Sequence, residues 1–175
     1  MIRAAAALRE HWPNLRLRMV TAQFPDEKSR RTIADLRALA EDLGMADRID
    51  WHIEFLPIDT VINLLSGCDL LVLPYEQSQD SASGAARICL SSLAPTLATR
   101  VKIFEEMQDA FAGVDDNDPA TLREAIDRLL TDVDARAEVQ ERMAHWLSDF
   151  DWSHMMAMME GMIAGLVAQR RMGWN

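Results

Sequence analysis

The run Leu70-Leu71-Val72-Leu73-Pro74, entered from Asp69, is apolar without alternation. A strand with water on one face alternates apolar and polar residues, whereas a strand covered by helices on both faces does not. Residues 69–74 are therefore expected to form a strand buried inside a parallel sheet. Pro74 ends the run, a polar stretch from Tyr75 to Asp80 follows, and Ser81-Ala82-Ser83-Gly84 leads into a helical pattern. In an open parallel sheet this order sets a helix N-terminus at the carboxyl end of a strand. Ligands bind there, and the unpaired N–H groups of the first turn favour an anion such as phosphate.

The rest of the chain alternates in the same way. Residues 3–11 read as a helix broken at Pro13-Asn14, and residues 15–20 alternate as a strand. Pro25-Asp26-Glu27 opens a long amphipathic helix carrying Ile33, Leu36, Leu39, Ala40 and Leu43, with Gly44 as its stop. A strand over 48–55 and a short helix capped by Asp59 and closed by Gly67 precede the apolar run. After it come a helix over 83–92, a strand over 95–99 and a short edge strand over 111–114. Asp118-Pro119 opens a helix to residue 130, with proline at the first helical position behind an aspartate cap. Helices over 134–148 and 153–170 close the chain. The fold class expected is α/β, a Rossmann-like doubly wound parallel sheet with a helical C-terminus. Such a sheet normally opens with a strand, and this sequence opens on a helix, so the first strand is expected to be missing. Residues 1–150 should form the sheet domain and 151–175 a C-terminal helix that packs on a further domain.

Composition narrows the function. At 175 residues and 49% apolar the chain supports one sizeable core. A formal charge of −10 argues against nucleic acid as a partner, since phosphate neutralisation needs a basic face. No apolar run reaches the length of a membrane span. Met1-Ile2-Arg3 and the four alanines after it are too short and weakly apolar for a signal peptide, so a cytoplasmic location is expected. Cys68 and Cys89 lack CxxC spacing and read as small hydrophobes. His11, His52, His145 and His154 share no ligand spacing, and neither a metal nor a cofactor is expected.

Several stretches, in order, resemble the C-terminal nucleotide-sugar-binding domain of retaining glycosyltransferases of the GT-B type, the glycosyl transferases group 1 family. Arg48-Ile49-Asp50-Trp51-His52 is similar to the strand leading to that family's base-binding loop, and the stretch from Leu64 to Tyr75 resembles its LYAACDVLVLPS segment. Residues 80–90 stand in the place of its E-x7-E element, and Ala94-Pro95-Thr96-Leu97-Ala98-Thr99 in that of its G-x-P-V-V-A-T strand. Asp118-Pro119-Ala120-Thr121-Leu122-Arg123-Glu124-Ala125-Ile126 resembles DPEALAEAI, and Trp152 opens a last helix like the one that packs on the family's N-terminal domain. The resemblance implies transfer of a sugar from a nucleotide diphosphate-sugar to an acceptor it does not specify.

The resemblance also implies site residues, and departures from them. The family's first glutamate, on the donor sugar, falls on Asp80, and the second, on the ribose hydroxyls, falls on Ile88, which cannot make that contact. Leu93 or Ala94 replaces the glycine before the P-V-V-A strand. The Arg and Lys that neutralise the donor diphosphate belong to a loop after the first strand, which has no counterpart here. The donor-sugar and phosphate site then comprises Asp80, Ser81, Ala82, Ser83, Gly84 and Arg87, with Thr99, Arg100 and Lys102 on the rim. Each has a plainer structural reading. Asp80 or Ser81 would cap a helix, Arg87 would pair with Asp80, and Arg100 and Lys102 would be solvated loop charges. The isolated chain is expected to bind a nucleotide-sugar weakly, without transferase activity, and to form a homodimer through exposed strand edges or methionine-rich helices. A non-catalytic binding or assembly module is the alternative. A receiver domain is excluded, because the strand ends Thr21-Ala22-Gln23 and Pro74-Tyr75-Glu76 lack its acidic pair and its phosphoacceptor.

Two further motifs take structural readings. Asp149-Phe150-Asp151 spells a metal-binding DxD triplet but lies between two helices, where Asp151 or Ser153 suits a cap. Met143, Met155, Met156, Met158, Met159 and Met162 supply either adaptable core packing or a docking face.

Overall fold

The computed structural model describes residues 1–78 and 82–150, together with Met156, Met159, Glu160, Met162 and Ile163. Strands and helices alternate: α1 (Ile2–Leu8), β1 (Leu17–Val20), α2 (Glu27–Asp42), β2 (Ile49–His52), α3 (Ile58–Ser66) and β3 (Leu71–Leu73). Then follow α4 (Gly84–Ser92), β4 (Thr96–Thr99), β5 (Ala112–Val114), α5 (Pro119–Thr131) and α6 (Val133–Asp149). Short 3-10 turns occupy Ala46–Arg48 and Lys102–Met107, neither evident from periodicity. The expected C-terminal helix, with Asp151, Trp152, Ser153, Met155 and Met158, lies almost wholly outside the described residues.

Every described strand pair is parallel, but the strands form two sheets. β1 pairs with β2, setting Leu17 opposite Ile49, and β4 lies between β3 and β5, setting Leu71 opposite Thr96 and Leu97 opposite Ala112. Among the described residues β1 and β3 are not paired, so the two sheets stay separate. All four residues of β4 are buried, as a central strand between helical layers requires.

Helix ends follow local chemistry. The Asp26 carboxylate accepts the Ser29 amide at 2.7 Å to start α2, and Asp118 accepts Ala120 at 2.9 Å behind Pro119 to start α5. The start of α3 differs from expectation: Pro57 holds its N-cap position, and Asp59 lies one step inside, in the first turn. Its carboxylate there complements the helix dipole instead of capping. Gly44 turns the chain after α2 at φ +62°, and Arg9 reaches over to donate to the carbonyls of Leu43 and Gly44, each at 3.2 Å. Leu93 ends α4 in the same left-handed region, at φ +54°.

The larger core gathers the sheet residues Leu71, Leu73, Leu97, Ala98 and Val114 with Leu90, Leu122, Leu129 and Met143 from the helices. The smaller one holds Ile2, Ala5, Ala40, Met45 and Ile49. Helix α1 serves both, giving Ala4 and Leu8 to the first and Ile2 and Ala5 to the second, while Met1 and Leu15 pack against both. Met143 is buried packing, whereas Met156, Met159 and Met162 are exposed. No helix among the described residues is long and apolar enough to cross a membrane.

Candidate functional site

Because β3, β4 and β5 are parallel, their carboxyl ends and following loops lie on one side of the sheet. Hydrogen bonds stitch these loops together. The buried Thr99 hydroxyl donates to the Tyr75 carbonyl at 2.8 Å and lies 3.3 Å from that of Leu73. The Lys102 amide donates to Gln77 Oε1 at 3.3 Å, and Asn117 Nδ2 donates to Glu76 Oε1 at 3.4 Å. The loops after the three strands thus form one rim.

The N-terminus of α4 follows in sequence. Ser83 caps it, its buried hydroxyl accepting the Ala86 amide at 3.2 Å, so the cap is neither Asp80 nor Ser81. Asp80 and Ser81 lie outside the described residues. The first-turn amides of Gly84 and Ala85 belong to the set a helix leaves without intrahelical acceptors. Among the described residues nothing comes within 4 Å of a Cβ placed at Gly84, and Ala82 is exposed beside it.

Two of the three basic residues form ion pairs that the sequence did not suggest. Arg87 pairs with Glu106 at 2.6 Å and lies 6.0 Å from the ring of Trp146, whose indole N–H donates to the Glu106 carbonyl. Arg100 pairs with Asp115 at 2.5 Å and packs over Gly113. Both pairs are exposed, worth about 0–1 kcal/mol each, which a phosphate dianion can outcompete. Thr99 is an exception among the expected rim contacts. Its hydroxyl is 2% exposed residue-wide and committed to main-chain carbonyls, so it braces the rim and does not offer a ligand contact. Lys102 is exposed and forms no ion pair among the described residues.

Two residues of this side escaped the sequence reading. Phe24 and Phe55 follow β1 and β2, pack edge to face at 5.3 Å, and are 57% and 65% exposed. Single aromatics in polar loops carry no periodic signal, although each lies just beyond a strand's carboxyl end. Ile88 is half-buried on α4 and lines a cavity between β1 and β3, as an apolar side chain there should.

Electrostatics elsewhere point to structure. The Arg16 guanidinium, 2.9 Å away, holds the Asp50 carboxyl below its ordinary range, with Arg18 and His52 adding to the effect. Burial, with a smaller contribution from Cys68, pushes the Cys89 thiol up to about 12, so it is no nucleophile at neutral pH. Asp149 faces His145 at 3.5 Å and Phe150 stacks on Trp146 at 4.1 Å, which ties the start of the DxD triplet into the end of α6. Among the described residues no cluster of three possible metal ligands occurs.

No family model matches the sequence. The chain is 31% identical over 177 aligned positions to a D-inositol 3-phosphate glycosyltransferase of Acidothermus cellulolyticus, covering 97% of this chain and 38% of that protein. Its counterpart in Corynebacterium urealyticum is 23% identical over 88% of this chain and 36% of its own length. The chain is homologous to one domain of the group 1, GT-B type glycosyltransferases. It spans a little over a third of the curated relatives it matches. The fold agrees: the C-terminal domain of a glycosyl transferase group 1 family protein from Francisella tularensis superposes with a TM-score of 0.70 at 14% identity. That match covers 85% of this chain and 76% of the other. That match shows the same fold of parallel strands flanked by helices.

Proposed function

We propose that this domain binds a nucleotide diphosphate-sugar at the rim formed by the loops after β3, β4 and β5, as the donor-binding part of a sugar-transferring enzyme. The observation that carries the reading is the first turn of α4 beside that rim, where no described residue comes within 4 Å of a Cβ at Gly84. Helix N-termini favour anions, and in doubly wound sheets ligands sit beyond the carboxyl ends of the strands. The homology to D-inositol 3-phosphate glycosyltransferases supports a sugar donor as the anion.

In this reading the amides between Ser81 and Gly84 hold the β-phosphate and Asp80 orients a hydroxyl of the sugar. Arg87, Arg100 and Lys102 supply positive charge to a diphosphate, two of them by exchanging a carboxylate partner. Backbone N–H groups and cations of this kind stabilise a departing diphosphate without a metal. Phe24 and Phe55 offer an apolar face to the remaining part of the nucleotide.

A second reading, a non-catalytic binding or assembly module, draws on Ile88 and on the prior pairing of Arg87 and Arg100. Calorimetry with UDP, GDP and their glucose conjugates tests the first against the second. Weak, saturable binding of a nucleotide-sugar by the isolated chain, without transferase turnover, is expected. The absence of any heat with all four ligands would favour the module. Micromolar or tighter binding would show that the domain needs no further cations.

A further inference from the structure

Among the described residues β5 is the outer strand of the larger sheet, paired with β4 on one side only. The Arg100 amide donates to the Val114 carbonyl at 2.8 Å. Backbone groups alternate in direction along a strand, so the N–H and C=O of Gly113 face away from β4. A cleft of about 530 Å³ lies along this edge, bounded by the end of α5 and by α6. Small-molecule sites typically measure about 300–1,000 Å³.

Three arginines line the cleft, in a chain of formal charge −10. Arg100 lies against Gly113, where a Cβ would meet its guanidinium at 2.7 to 2.9 Å, so glycine makes room for it. Arg142 is fixed by two main-chain carbonyls, its Nε donating to Asp109 at 2.9 Å and its Nη2 to Phe111 at 3.2 Å. Both acceptors are neutral, so its charge is not cancelled. Arg128 is exposed in the last turn of α5. Among the described residues only Arg100 of the three has a carboxylate partner, the exposed Asp115, and three like charges around one cleft repel. Helix α6 contributes Ala135, Glu138, Val139 and Arg142, spaced as one helical face. Glu138 is exposed there and, like Arg128, forms no ion pair among the described residues. The cleft thus combines a cluster of cationic donors with a separate anionic acceptor.

We propose that this cleft binds a small phosphate monoester that carries hydroxyl groups. The phosphate dianion lies among Arg100, Arg128 and Arg142, with the Gly113 amide as a further donor, and a hydroxyl donates to the Glu138 carboxylate. Planar guanidinium groups match phosphate oxygens two at a time, and a dianion offsets the repulsion among three cations. An extended peptide pairing with β5 fits less well, because Arg142 already holds the Phe111 carbonyl that such a strand would need. Arg100 borders the rim after β4 as well, so variants of Arg128 and Glu138 separate this cleft from the donor-binding reading.

The test is an NMR titration of the full chain, following backbone amides and arginine side-chain signals, with ribose 5-phosphate, inorganic phosphate and gluconate. Ribose 5-phosphate is expected to shift the Gly113 amide and the Arg128 and Arg142 side chains saturably. It should bind at least about tenfold more tightly than inorganic phosphate or gluconate. Arg128→Ala should weaken it about tenfold, the loss of one charge-assisted contact. Glu138→Ala should narrow its advantage over inorganic phosphate, which should itself bind no worse. Both residues are exposed, so both variants should keep the fold. Shifts scattered over the surface that persist in Arg128→Ala overturn the proposal as an adventitious ion only, and so does an unshifted Gly113 amide. Equal affinity for inorganic phosphate or for gluconate overturns the ligand class. Tighter binding of a poly-glutamate peptide at the same signals would overturn it in favour of a protein partner.

Discussion

Thr99 at the end of β4 donates its hydroxyl to the main-chain carbonyl of Tyr75, 2.8 Å away and one residue past the proline that ends the β3 run. This bond sets where the loop after β3 leaves the sheet. Thr99→Val keeps the shape and leaves that carbonyl without its donor, at a cost of about 1–3 kcal/mol. Denaturant unfolding should show the loss, and amide exchange should rise in residues 75–78.

Leu93 stands at φ +54°, a conformation that costs a non-glycine residue roughly 1–2 kcal/mol. Its side chain is 42% exposed, and its carbonyl, which accepts Gln140 Nε2 at 2.9 Å, survives substitution. Leu93→Gly is expected to stabilise the protein by about 1 kcal/mol, read as a higher midpoint in urea with an unchanged slope.

Gly84→Val separates binding from folding. The Cβ of a branched side chain at the first residue of α4 meets no described residue within 4 Å, so stability should move by less than about 0.5 kcal/mol. It stands in the path of a phosphate approaching the helix amides, and calorimetry should record at least a tenfold loss of nucleotide-sugar affinity. Unchanged affinity would leave the turn as an ordinary helix start.

The two thiols should behave differently. Cys68 is half-buried and should react with N-ethylmaleimide at pH 8, while Cys89 should react only in denaturant. The folded Cys89 thiol holds its proton up to about pH 12, against an ordinary value of 9.0. Between those limits the unfolded chain carries fewer protons, so stability is intact below pH 9 and falls as pH rises toward 12. Cys89→Ala should flatten that fall in thermal melts recorded across the alkaline range.

Much of the architecture was legible because the signals were local. The apolar run marked the strand at Leu71–Leu73, although its second face is half-buried at Val72, and Asp118-Pro119 marked a helix start by chemistry that acts within three residues. Pro57 and Asp59 compete for one helix start, and sequence cannot rank them, since an aspartate suits both the cap and the first turn. The partners of Arg87 and Arg100 were not legible, because Glu106 and Asp115 come close only through the crossing of α4, β4 and β5. The same holds for Phe24 and Phe55, distant in sequence and adjacent only because β1 pairs with β2.

Helix α1 is the element that both cores share, and the two sheets have no strand pairing between them. The seven-residue α1 is thus one link between the halves, and the Arg18 guanidinium of β1, donating to the Leu64 carbonyl of α3 at 2.9 Å, is another. Weakening these links is expected to release β1, α2 and β2 before the core around β4, which native-state amide exchange would record as lower protection in the smaller sheet.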